Sequence, residues 1–157
     1  MTSADARRTT HDFLALVAAI AAIAAIAAIA VVACGPREPR THELRLISPT
    51  YRFTIISSQS PPHAREAILY KVVVRDRESS QPIETGEGQI YANNAEGAST
   101  WDGFAKGAEL GTYYGKLNFV TAGTWAVAIR FRRDSVHALE KVEWMQDVLN
   151  ERQGAVP

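Results

Sequence analysis

The 21 residues from Phe13 to Ala33 include no charged or polar side chain, and eleven of them are alanine. Four tandem Ala-Ala-Ile copies fill the stretch from Ala18 to Ile29. As a helix, at about 1.5 Å of rise per residue, this run reaches roughly 32 Å, enough to cross a hydrocarbon core of about 30 Å. Its ten strongly apolar side chains each favour insertion by roughly 0.3 to 0.6 kcal/mol. Arg7 and Arg8 precede the run, and a basic flank stays on the cytoplasmic side while the chain beyond the apolar run is carried across. These two arginines do not open a twin-arginine signal, because Thr9-Thr10-His11-Asp12 lacks the apolar residues such a signal needs. The remainder of the chain must therefore build its own core, on the far side of a membrane.

The run ends in Val31-Val32-Ala33-Cys34-Gly35. Small and aliphatic residues before a cysteine, after a basic and apolar leader, resemble the lipobox of bacterial lipoproteins. The resemblance implies signal-peptidase recognition through Val31, Val32 and Ala33. It also implies a diacylglycerol on the Cys34 thiol, with Cys34 as the new N-terminus after cleavage. One acyl chain holds a protein to a bilayer only marginally, whereas two or more hold it stably at about 0.8 kcal/mol per buried methylene. Two other fates fit the same residues: an uncut signal anchor, and a buried core helix with a chance cysteine.

Acidic and basic residues balance at 17 each, so no basic surface offers itself to a phosphate backbone and no nucleic-acid partner is expected. The one cysteine forbids an internal disulfide and a thiolate metal cage. Residues 34–43, with Pro36 and Pro39, read as a tether. From Leu44 the pattern changes to period two. Trp125, Val127, Ile129 and Phe131 fall on one face and Arg130 and Arg132 on the other, which is a half-buried strand. Tyr113, Gly115, Leu117 and Phe119 repeat the pattern, and the connection Val120–Thr124 is short enough for an antiparallel hairpin, with Gly123 free to take a positive φ. Ile68 to Val74, Tyr51 to Ile55, Glu87 to Asn93 and a short edge at Leu44 to Ile47 complete six strands. Six strands with one apolar face each pair those faces, and the expected fold is an all-β, immunoglobulin-like antiparallel β-sandwich over 44–133 without its disulfide. An N-terminal hydrophobic helix over 1–33, signal or anchor, precedes it. Residues 134–152 are expected to form a C-terminal amphipathic helix, with Val136, Leu139, Val142 and Met145 or Leu149 as its stripe and Asp134 or Ser135 as cap. The like-charge pairs Glu143 with Asp147 and Asp147 with Glu151 oppose it. The same residues also fit a strand with Val142, Trp144 and Val148 on one face.

The run from Gly111 to Phe119, followed by Gly123-Thr124-Trp125-Ala126-Val127-Ala128-Ile129, resembles the closing hairpin of the FixH/YtkA-like families, as does Gln81-Pro82-Ile83 ahead of a strand. The resemblance spans roughly residues 50 to 133. It implies a small immunoglobulin-like accessory module on the outer side of a bacterial membrane, in some relatives tied to copper handling or oxidase assembly. Metal-handling relatives carry methionine and histidine clusters, whereas the methionines here are Met1 and Met145.

His42, His63 and His137 lie in three separate segments, and no pair has the spacing that places two ligands on one strand face or helix turn, so no metal or other cofactor is expected. The serines at 57, 58, 60, 79 and 80 sit in turn-like company without an elbow motif, and no glycine-rich phosphate loop is present. An enzyme is not expected. Asn94 to Leu110 is a 17-residue connection with glycines at 97, 103 and 107, and connections that long inside a compact domain are often functional. It carries Trp101, Asp102, Phe104 and Lys106, a candidate partner-binding loop with aromatic anchors; alternatively, Trp101 folds back to plug the end of the sandwich. The leading expectation is a lipid-anchored envelope protein with a non-catalytic binding domain and an envelope protein as partner. The rival is a periplasmic metal-handling factor of FixH/YtkA type, held by an uncut N-terminal transmembrane helix.

Overall fold

The computed structural model describes residues 42–152. The apolar run, Val31, Val32, Ala33 and Cys34 lie outside the described residues. Among the described residues no helix is long and apolar enough to cross a membrane. These residues form nine strands: β1 (Glu43–Ile47), β2 (Tyr51–Ser57), β3 (Ala67–Asp76), β4 (Glu87–Asn94), β5 (Ser99–Gly103), β6 (Ala105–Lys106), β7 (Thr112–Asn118), β8 (Gly123–Arg132) and β9 (Glu140–Val148). The first sheet has the order β1-β2-β3-β7-β6 and the second β5-β4-β8-β9, with every pairing antiparallel. Two antiparallel sheets face each other across one core, the sandwich that the alternating pattern implies.

Core residues come from the apolar positions of both sheets. Tyr51, Phe53, Ile68, Tyr70, Val72, Tyr113 and Leu117 from the first meet Ile90, Trp125, Val127, Ile129 and Phe131 from the second. Phe131 sits at the centre of an aromatic group, edge-on to Tyr51 at 5.3 Å and to Tyr113 at 5.1 Å between ring centroids, a geometry that suits ring quadrupoles. Two of the buried tyrosines satisfy their hydroxyls within the protein. Tyr113 donates to the Ile83 carbonyl at 2.6 Å and accepts from the Gly86 amide at 2.9 Å, and Tyr51 accepts from the Arg133 amide at 3.0 Å.

Three expectations are corrected. The stretch 134–152 is not a helix, since β9 occupies Glu140–Val148. Val142, Trp144 and Val148 point inward, whereas Val136, Leu139, Met145 and Leu149 of the helical stripe are exposed. Helix propensity is overridden because β8 offers nine paired positions from Gly123 to Phe131. The strand also carries Glu143 and Asp147 on its outer face without forcing them onto adjacent turns. Secondly, β7 and β8 do not form a hairpin: β7 pairs with β3 and β6, and β8 with β4 and β9. The connection crosses between the sheets because Phe119 and Trp125, both fully buried, pack edge to face at 5.2 Å inside the core, so the chain must change layer there. Gly123 does take a positive φ, 118°. Thirdly, Asn94 to Leu110 is not a free loop. Asn94 caps a turn by accepting the amides of Glu96 and Ala98, and the chain then returns as β5 along β4 before crossing to β6.

Glu140, at the start of β9, ties the second sheet to the first. Its carboxylate accepts from the Ser48 hydroxyl and from the Thr50 amide at 3.1 Å. Burial pushes its pKa up, but the hydrogen bonds from Ser48 and Thr50 outweigh that and hold it below the ordinary glutamate value. A depressed folded-state pKa contributes stability that is full above the unfolded value and is lost as pH falls through the folded one. Glu140→Gln should therefore cost about 1 kcal/mol at neutral pH and flatten the acid limb of stability against pH. Urea midpoints between pH 7 and pH 3 check this; parallel limbs in the two proteins would refute it.

Candidate functional site

The strand register builds the outer surface of the second sheet. Trp101 stands opposite Tyr91, Tyr91 opposite Ala128, and Ala128 opposite Glu143. Two residues along β4, Asn93 lies between Ser99 and Ala126; in the other direction Gln89 lies between Gly103 and Arg130. Side chains alternate along each strand, so burying Ile90 and Ala92 on β4, and Val127 and Ile129 on β8, places Tyr91 and Arg130 on the outer face, together with Ala128, which its neighbours cover. On β5 the polar Thr100 and Asp102 turn inward and the indole turns out. Trp101 is 70% exposed.

The Arg130 guanidinium lies 5.0 Å from the centre of the Tyr91 ring, a cation–π contact worth about 0.5 to 1 kcal/mol at an exposed site. Beyond it, Lys141 is paired with Glu143 at 2.5 Å; this hydrogen bond holds the ammonium above its ordinary value, and the Tyr91 phenol adds to the effect. Between Trp101, Tyr91 and Arg130 lies a depression of about 350 Å³, edged by Gln89, Asn93, Ser99 and Thr100.

The four candidate residues of 94–110 are not brought together. Trp101 is on the surface and does not plug the sandwich. Asp102 accepts the Lys116 amide of β7 at 2.8 Å, and Thr100 accepts the Asn118 amide at 3.3 Å, so these inward side chains close the side of the sandwich. Phe104 leaves the surface to pack against the core, 6.1 Å from Tyr113. Lys106 belongs to β6 in the other sheet. Tyr91 and Arg130 were not identifiable from sequence as partners of Trp101. Alternation assigns both to solvent faces, but only the β4–β8 register makes those faces one.

A second cleft, of about 250 Å³, opens between β1 and β9 and is lined in part by His42, Glu43, Tyr70, Trp144 and Gln146. Burial pushes the Tyr70 phenol well up, and among the described residues its hydroxyl has no hydrogen-bond partner. The three histidines stay apart. His42 edges this cleft, His63 bridges to Leu149, and His137 pairs with Asp134 at 2.6 Å. Among the described residues no three His, Cys, Asp or Glu side chains converge on a point.

No family model matches the chain, and no curated protein does. Two solved structures of FetP from uropathogenic Escherichia coli strain F11 are similar to it. A copper-bound variant superposes with a TM-score of 0.47 at 14% identity, over 74% of this chain and 97% of that one. The as-isolated protein superposes with a TM-score of 0.49 at 11% identity, over 71% and 98%. The copper is a property of that variant.

Proposed function

We propose that this chain is a non-catalytic binding module held at the extracytoplasmic face of a bacterial membrane by lipid on Cys34. The observation that carries the binding role is Trp101. A large apolar side chain, mostly exposed on a paired strand and not on a free loop, loses water only when something covers it, and rigid aromatic side chains are the usual anchors of recognition. The anchor is supported by the uncharged run from Phe13 to Ala33 behind Arg7 and Arg8, and by Cys34 at its end.

Cys34→Ser tests the anchor in a bacterial host. The wild-type chain should incorporate labelled palmitate and lose its first 33 residues; the serine variant, or globomycin treatment of the wild type, should leave an unlabelled precursor. A wild-type chain of full length with a free thiol and no label would overturn the proposed attachment.

A further inference from the structure

We infer that the Trp101–Tyr91–Arg130 surface binds an oligosaccharide bearing carboxylate groups, a deepening that rests on the binding role proposed above. A pyranose ring has an apolar C–H face and a rim of hydroxyls. It therefore asks for one exposed aromatic plane surrounded by short polar donors and acceptors. Trp101 supplies the plane, and the hydroxyl of Ser99 and the amides of Gln89 and Asn93 supply both kinds of hydrogen-bonding group around the same depression. Trp101, Tyr91 and Arg130 fall on three successive strands, β5, β4 and β8, at about 5 Å per strand. That step is close to the length of one sugar unit. Trp101 and Tyr91 are level in register, and Arg130, opposite Gln89, reaches back over the Tyr91 ring, so a chain running from β5 onto β4 meets the indole and then the Tyr91–Arg130 pair.

Charge selects the substituent. Arg132 is paired with Glu87 and Lys141 with Glu143, whereas among the described residues no carboxylate lies within ion-pair distance of Arg130. Contact with the Tyr91 ring holds the guanidinium at this surface, and a guanidinium can grip a planar acid with two parallel hydrogen bonds. A protein partner fits less well. A stable protein interface covers about 800 Å² on each side around an apolar centre, and within the depression Trp101 is the only exposed large apolar residue.

The test uses the full chain in detergent micelles with three probes: a hyaluronan hexasaccharide, neutral chitohexaose, and a glutamate-rich peptide of similar charge. Tryptophan fluorescence and calorimetry should show saturable binding of the hyaluronan fragment. Trp101→Ala should remove binding of both saccharides. Arg130→Gln should weaken the acidic one about tenfold, to the level of chitohexaose, with both variants folded and their melting temperatures lowered by no more than a few degrees. Tighter binding of the peptide, or saccharide binding indifferent to Trp101→Ala, would overturn the assignment, as would no binding of either saccharide. A photo-crosslinking residue at position 101 in living cells separates this failure from the broader one. If the saccharides fail and a discrete protein adduct forms, the ligand class is wrong while the binding role stands; if no adduct of any kind forms, both fall.

Discussion

Trp125→Ala should lower the stability of the β-sandwich by about 3 to 5 kcal/mol, whereas Trp101→Ala should change it by no more than about 0.5 kcal/mol. The two tryptophans lie on opposite faces of one sheet, and the difference is burial. Trp125 is fully enclosed, packs edge-on to Phe119 and donates its indole N–H to the Thr121 carbonyl at 3.1 Å. Truncation leaves a cavity that close-packed neighbours cannot fill, removes a buried hydrogen bond, and loosens the point where the chain passes from the first sheet to the second. Because domains are stable by only about 5 to 15 kcal/mol, the loss is a large part of the whole. Urea unfolding followed by near-ultraviolet circular dichroism checks it, with the slope against denaturant unchanged for Trp101→Ala. Equal midpoints for the two variants would contradict the placement of both side chains.

Six of the nine strands were legible in period two because each sets large apolar residues against polar ones. Elements that escaped did so for a physical reason. In β5 the pattern is inverted, with Trp101 outward and Thr100 and Asp102 inward, so the segment reads as a loop although Asn94 and Gly97 supply a turn before it. Its inward polar groups are tolerated because they meet backbone amides of β7 at the sandwich edge. In β9, Val142 and Met145 match a helical stripe, and Val142, Trp144 and Val148 match a strand. Local sequence cannot decide between the two, since what decides is the row of backbone groups that β8 presents. The crossing of Val120–Thr124 between sheets was likewise hidden, because Phe119 and Trp125 have the same apolar character whether they pair across a hairpin or meet across a core.

For the site, Trp101 was visible as an aromatic in a long connection, but its companions were not. Asp102, Phe104 and Lys106 are its neighbours in sequence and are turned to β7, the core and the other sheet. Its neighbours in space, Tyr91 and Arg130, are 10 and 29 positions away and are brought to it by the β4–β5 and β4–β8 pairings. A surface assembled across strands is a property of register, and single-sequence periodicity gives faces without giving register.

Gly88→Ala should destabilise the domain by about 3 kcal/mol and remove saccharide binding with it, while Gly103→Ala, 15 positions further on, should be neutral or slightly stabilising. A methyl group at Gly88 would stand 2.2 Å from the Arg130 carbonyl oxygen and 3.1 Å from the Phe131 Cα. Both obstacles are backbone, so no rotamer change relieves them, and one strand must move from its partner. The Gly88 carbonyl also accepts the Phe104 amide at 2.9 Å, so displacement would disturb the crossing from β5 to β6 as well. The close approach ties the site to the fold, for β4 and β8 carry Tyr91 and Arg130, and pushing those strands apart loosens the cation–π contact. At Gly103 the added methyl meets nothing within 4 Å, and the loss of backbone freedom in the unfolded chain favours the folded state by about 0.4 to 1 kcal/mol. Thermal melting of the two variants beside the wild type distinguishes them. A Gly88→Ala protein that melts with the wild type would mean that the two backbones are not in contact there.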